Sequence, residues 1–423
     1  MKETRFRAVA VFIMAFVFLL TAASMASETP KDSKKETADI RLDPGETEET
    51  EDISPEDPGD SQGESGNSEG GSDGGSEDRE GFMLTEESFE IGDVPEEYLE
   101  PAEHQGTIER VRYEIEDENG EKMTKSVIVY LPAGYKETDR SYNVLYLIHA
   151  SGGSPRDYLD PGKVTKLQCL LDHMIEAGEI EPLIVAAPTY SKGDPFESFL
   201  PLGIQVAEMS DFPQELTDRI IPAVEREFRT YAESVDEAGI GASRDHRAVA
   251  GFSLGGTATW NTFIQKMYAF RWFLPISEAS WDDGEGGIEG IWDSDLSAEV
   301  LYNAVSEQGY TAEDFVLFVA TGTEDVAFEI ATEQMKSLLE YNDMFITGEN
   351  TSCSMMIGGT HTLSVIYTYM YHILPALFYY AAEPMGCGTG SGFGYGRGRG
   401  FTLPLFDSDQ MTSRGILNLT GAR

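Results

Sequence analysis

The sequence predicts an α/β fold, a mainly parallel central sheet with helices on both faces. From about residue 105 onward, strand-like and helix-like segments alternate, the pattern of parallel strands joined by covering helices. Val144-Leu145-Tyr146-Leu147-Ile148 is an unbroken apolar run, as a strand buried on both faces requires. Residues 248–256 read Ala-Val-Ala-Gly-Phe-Ser-Leu-Gly-Gly and set G-x-S-x-G between a short apolar strand and a run that continues as a helix. That strand–turn–helix setting is the context in which the motif marks a catalytic serine.

The elements follow in order. Residues 108–115 and 125–131 alternate polar and apolar with β-branched side chains, and predict an antiparallel opening pair. After the central strand at 144–148 come a helix near 163–178, a buried strand at 183–187 and a helix near 212–229. Beyond the serine turn, strands are expected at 272–276, 315–320 and 354–357, with helices near 297–308, 326–342 and 363–380. No internal repeat is apparent.

The flanks differ from this middle. Residues 1–26 carry Lys2, Arg5 and Arg7, an apolar run from Ala8 to Leu20 and a small-x-small site at Ser24-Met25-Ala26, the layout of an export signal. An apolar run of about 13 residues falls short of the ~20 that span a bilayer. Residues 27–100 hold 26 acidic against 5 basic side chains, and predict a self-repelling acidic linker that spaces the domain from a surface. Glycine takes every even position from Gly386 to Gly400, so residues 385–423 read as a flexible tail around an α/β domain at 101–384. The formal net charge of −45 argues against nucleic acid or an anionic surface as partner. Three cysteines, Cys169, Cys353 and Cys387, with no C-x-x-C, exclude a disulfide scaffold and make a Cys/His metal site a poor fit.

A serine nucleophile needs a base, and the base needs an acid that fixes its tautomer. In α/β-hydrolases the chain order is serine, acid, histidine. Only His361 and His372 follow Ser253. His361 lies in a glycine loop after the last apolar strand, on the sheet edge that carries Ser253, whereas His372 sits on a helix where packing explains it. His246 begins the serine's own strand, about 23 Å from Ser253 at ~3.3 Å per residue, at the wrong edge. His104 precedes the folded region, and His173 lies mid-helix. The acid belongs in a loop after a strand between Ser253 and His361. Thr321-Gly322-Thr323-Glu324-Asp325 offers two carboxylates that the residues alone leave nearly equal, with Asp282 and Asp283 weaker. Two backbone N–H groups must hold the oxyanion. Leu254 supplies one, and the loop His149-Ala150-Ser151-Gly152-Gly153 the other, through Ala150 or Ser151. The chemistry calls for no cofactor or metal.

These stretches resemble carbohydrate esterase family one, the secreted feruloyl and acetylxylan esterases with the α/β-hydrolase fold, whose wider relatives include esterase D. The resemblance runs from about Thr107 to Tyr380. It rests on residues 129–135 (Val-Tyr-Leu-Pro-Ala-Gly-Tyr), Leu145 to Gly153, 181–189 (Glu-Pro-Leu-Ile-Val-Ala-Ala-Pro-Thr), Gly251 to Gly256, Ala320 to Asp325, and Gly358 to Thr362. It implies Ser253 as nucleophile, His361 as base and, through Gly-x-Glu-Asp, Asp325 as acid. It further implies an aromatic acyl-pocket wall at Trp281. Two departures stand out: Ala150-Ser151 where the family carries glycines, and Glu278 where a small residue is expected. The implied activity is hydrolysis of feruloyl or acetyl esters on plant polysaccharide such as xylan by a secreted serine esterase. Acyl transfer on the same fold and glycan binding without catalysis are the alternatives.

Overall fold

The computed structural model describes residues 91–116, 120–192, 202–347 and 349–378. The expected export signal, residues 27–90 of the expected linker and the expected glycine tail lie outside the described residues. Eight strands form one sheet: β1 Thr107–Glu116, β2 Lys122–Leu131, β3 Val144–Ile148, β4 Ile184–Ala187, β5 Arg247–Phe252, β6 Trp272–Ile276, β7 Val316–Glu324 and β8 Thr351–Thr360, in the order β1-β2-β4-β3-β5-β6-β7-β8. The β1–β2 and β2–β4 pairs are antiparallel, and the five pairs from β4–β3 to β7–β8 are parallel. The helices are α1 Lys166–Glu176, α2 Leu202–Glu215, α3 Ile221–Glu227, α4 Glu237–Ala242, α5 Leu254–Lys266, α6 Ser294–Glu307, α7 Phe328–Leu339 and α8 Val365–Ile373. No helix among the described residues is long and apolar enough to cross a membrane.

Side-chain alternation along each strand divides the core in two. Val144, Tyr146 and Ile148 of β3 join Val249, Phe273, Leu317 and Val319 on one face, against apolar residues of α2, α3, α5, α6 and α7. Leu145 and Leu147 join Ala248, Ala250, Leu274 and Phe318 on the other, against α1 and α8. Each central strand thus contributes to both faces, which is why these strands read as continuous apolar runs. Helix starts are capped as their sequences suggest: Thr165 Oγ1 accepts from the Gln168 amide (3.3 Å) and Asp293 Oδ1 from that of Leu296 (3.0 Å).

Four boundaries differ most from the sequence reading, one of them β8, which runs from Thr351 to Thr360 and takes in Gly358 and Gly359 where a glycine loop was expected after residue 357. The helix expected from residue 212 begins at Leu202, and a π turn, Leu216–Ile220, joins it to α3. Burial of Met209 and Phe212 against the sheet outweighs the break signalled by Pro213, and Thr217 Oγ1 donates to the Pro213 carbonyl (3.1 Å). Strand β7 runs on through Thr321-Gly322-Thr323 to Glu324 with a register shift near its end. Residues 91–100, expected as linker, belong to the folded unit: Val94 is buried and Tyr98 stacks on His173 at 5.0 Å. The apolar side chains in that short stretch prevail over its acidic composition.

At the amino end of β5, Arg247 is 1% exposed and grips Glu225 through Nε (2.7 Å) and Nη2 (2.9 Å). Its remaining donors reach Ile240 O, Ala269 O and Ser243 Oγ, and Tyr146 Oη donates to Glu225. Removing one member of a buried, saturated ion pair strands the other charge. Arg247→Ala is therefore expected to lower stability by about 3–5 kcal/mol, read from the urea midpoint. A loss below about 1 kcal/mol would place the pair among hydrated surface pairs instead.

Candidate active site

Ser253 ends β5 and precedes α5, with φ 56° and ψ −125°. A serine in that region is strained, and such strain persists only where the surroundings fix it. They do so here: the Ser253 amide donates to Ile276 O of β6 (3.0 Å), and the Thr257 amide closes the first helical turn on Ser253 O (3.1 Å). A Cβ on Gly251 would lie 2.0 Å from Gly255 O, and one on Gly255 would lie 2.3 Å from Ile148 O. The motif glycines are thus demanded by packing against the helix start and β3.

The carboxyl ends of β7 and β8 bring the other two groups together. His361 Nδ1 lies 2.7 Å from Asp325 Oδ1, and both side chains are nearly or wholly shielded from solvent. The Ala327 amide also donates to Asp325 Oδ1 (2.7 Å). A carboxylate only accepts, so the proton sits on Nδ1 and Nε2 is left as the acceptor. The imidazole tilts over the Phe252 ring at 4.7 Å, one residue before the serine. No hydrogen bond joins Ser253 Oγ to His361. Such contacts commonly tighten only once substrate is bound. Glu324, the rival acid, ends the β7 ladder and is exposed. Asp282 and Asp283 accept only from amides of their own loop.

The remaining histidines have other partners. His104 pairs with Glu176 (2.8 Å), His173 bonds Glu100 O (3.1 Å), and His246 bonds Asn143 (2.7 Å) and stacks on Tyr231. His372 is buried in α8 against Tyr371. Cys169 and Cys353 are buried free thiols.

Residues that sequence reasoning missed shape the loop after β3. The Ala150 carbonyl accepts from the Gly153 amide (3.1 Å), Tyr190 Oη (3.1 Å) and His149 Nδ1 (2.8 Å). Burial lowers the His149 pKa to about 4, so its ring is neutral at working pH and Nε2 accepts from Thr189 Oγ1 (2.8 Å). Gln205 Oε1 gathers Ser151 Oγ, the Gly152 amide and Tyr190 Oη. In a trans peptide the C=O and the following N–H point opposite ways. Holding the Ala150 carbonyl inward therefore turns the Ser151 N–H outward. Thr189-Tyr190 directly after β4 was the available signal, being polar residues at the same sheet edge.

Trp281 is buried rather than open to solvent, and its indole N–H donates to Glu278 Oε1 (3.2 Å). Glu278 is 4% exposed, and its pKa is raised to about 7, chiefly by burial.

Comparison with known proteins points to an esterase family. The esterase family model, described as "Putative esterase", matches residues 119–337. The endo-1,4-beta-xylanase Y of Acetivibrio thermocellus is 32% identical over 291 residues, which cover 68% of this chain and 24% of that protein. An endo-1,4-beta-xylanase/feruloyl esterase of Xylanibacter ruminicola is 30% identical over 180 residues, 42% of this chain and 22% of that one. The chain thus spans about a quarter of the length of these curated relatives. Among solved structures, the feruloyl esterase module from Clostridium thermocellum, in complex with sinapinate, is 31% identical with a TM-score of 0.58. It aligns over 70% of this chain and 97% of that one.

Proposed function

This chain belongs to the esterase family, within carbohydrate esterase family one, and from that premise we propose that it is a serine esterase releasing hydroxycinnamoyl or acetyl groups from plant cell-wall polysaccharide such as xylan. The observation that carries the reading is the 2.7 Å pairing of His361 Nδ1 with Asp325 at the sheet edge where Ser253 is held in a strained turn.

In this mechanism Ser253 Oγ attacks the ester carbonyl carbon while His361 Nε2 takes its proton. The carbonyl oxygen becomes an oxyanion, held by the N–H groups of Leu254 and Ser151. Leu254 opens α5, where the first helical N–H groups have no partner within the helix. The inward-held Ala150 carbonyl favours Ser151 over Ala150 as the second donor. Collapse breaks the C–O bond, and His361 returns its proton to the departing sugar hydroxyl. Water then attacks the acyl-serine carbonyl and gives a proton to His361; the acyl–Oγ bond breaks, His361 returns that proton to Ser253 Oγ, and the freed acid leaves. Residues 1–26 would direct the protein out of the cell, and the acidic linker would space the domain from a surface.

The test is a substrate panel of methyl ferulate, acetylated xylan and short nitrophenyl esters. Ferulate or acetate release at enzymatic rates is expected. Glycan binding with no turnover of any ester would overturn the proposal.

A further inference from the structure

Glu278 lies two residues beyond β6, whose Ile276 carbonyl accepts the Ser253 amide (3.0 Å). Its backbone is pinned from α5, where the Trp260 indole donates to the Glu278 carbonyl (3.3 Å). A Cβ on Gly256 would lie 3.0 Å from Glu278 Cβ, so the acid is wedged against the turn that presents the serine. Its Oε1 accepts both the Ala279 amide (3.1 Å) and the Trp281 indole N–H (3.2 Å). One carboxylate oxygen therefore fixes the direction of the loop leaving β6. The titratable groups whose charges act on Glu278 are His361, from the β8–α8 loop, and Asp325, from the loop after β7. The helix α5 meets it through Gly256 and Trp260, and its own loop through Ala279 and Trp281.

An ionisable side chain is a poor choice for so buried a position unless its charge or its hydrogen bonds are used. We propose that Glu278 is a positioning residue of the esterase site: it holds the Trp281 loop against the nucleophile turn and sets a second carboxylate beside the His361–Asp325 pair. This rests on the reading of Ser253, His361 and Asp325 as the reacting groups. The family resemblance implies that Trp281 walls the acyl pocket, and on that reading the loop's placement bears on bulky hydroxycinnamoyl groups more than on acetyl. The charge favours the protonated imidazole that forms as Ser253 attacks.

Two variants separate the roles. Glu278→Gln keeps an oxygen for Trp281 and Ala279 but removes the charge, while Glu278→Ala removes both. Glu278→Gln is expected to leave KM for methyl ferulate within about twofold. It should also change the acid limb of kcat/KM, because the buried carboxyl that ionises beside the imidazole is gone. The wild-type limb should reflect two coupled ionisations and the variant's limb a single one. Glu278→Ala is expected to raise KM for methyl ferulate about tenfold and KM for nitrophenyl acetate less than twofold. That increase should largely vanish when Glu278→Ala is made in a Trp281→Phe background, where the indole N–H is already gone.

An unmoved acid limb in Glu278→Gln overturns the proposal, as does an equal effect of Glu278→Ala on both esters. If Glu278→Ala does not fold, Glu278→Gln and Trp281→Phe still decide it. Wild-type inactivity toward every ester, or full activity in Ser253→Ala, would instead remove the reading of the site itself.

Discussion

Ser253→Ala is expected to lower kcat on a model ester by about a millionfold, the loss seen when the nucleophile of a serine triad is removed. The residue left behind still occupies the strained turn at φ 56°, so stability should change little. Ser253→Gly goes further. Glycine carries no Cβ and adopts this backbone region readily, whereas other residues there cost about 1–3 kcal/mol. The glycine variant should therefore be equally inactive yet more stable than wild type by about 1 kcal/mol, visible as a higher urea midpoint. The pairing of lost activity with gained stability is the signature of strain kept for function. Initial rates on nitrophenyl acetate decide the first point: retention of even a hundredth of wild-type kcat would show that another group attacks the ester.

How much of this was legible in the sequence varies with the distance over which each feature is decided. The serine turn was legible because its constraint is largely local: a Cβ on Gly251 would clash with Gly255 O within one strand–helix connection, and although one on Gly255 would meet Ile148 O of β3, both glycines fall inside one five-residue motif. His361 was legible by elimination, since chain order and sheet edge left one histidine beyond Ser253 in a loop. The choice between Glu324 and Asp325 was not, from the residues alone. Both follow the same apolar strand, and the outcome depends on β7 continuing four residues past its apolar run and shifting register against β8. The Ala150 clamp was invisible for a similar reason. His149 and the Gly153 amide are local donors, but the third, Tyr190, lies 40 positions on and is itself met by Gln205, and no local pattern links positions that far apart. Glu278 was noticed as out of place, but its partners Trp281 and Trp260 required coordinates. The early start of α2 at Leu202 failed to show because Pro213 marks a break that buried Met209 and Phe212 override.

The acid provides the second large effect, and here the local hydrogen bonds predict a graded outcome. Asp325→Ala removes both the partner that fixes the His361 tautomer and the charge that stabilises the imidazolium, and should lower kcat by about 10⁴-fold. Asparagine usually costs as much in such triads because the imidazole adopts the wrong tautomer. In this site the Ala327 amide donates to the same Oδ1 that accepts from His361 Nδ1. An asparagine would be oriented by that amide with its carbonyl oxygen toward both donors, so Nδ1 keeps its proton and Nε2 remains a base. What is lost is the negative charge. A neutral hydrogen bond replaces a charge-assisted one, and about 3–4 kcal/mol of transition-state stabilisation, a loss of 10²- to 10³-fold, follows. Asp325→Asn should thus lie clearly above Asp325→Ala, with Glu324→Gln within about twofold of wild type because that side chain faces solvent. Steady-state kcat for the three variants measures this ordering. Equal losses in Asp325→Asn and Asp325→Ala would mean that the amide flips and the Ala327 contact does not govern the tautomer. A large loss in Glu324→Gln would transfer the acid's role to the neighbouring carboxylate.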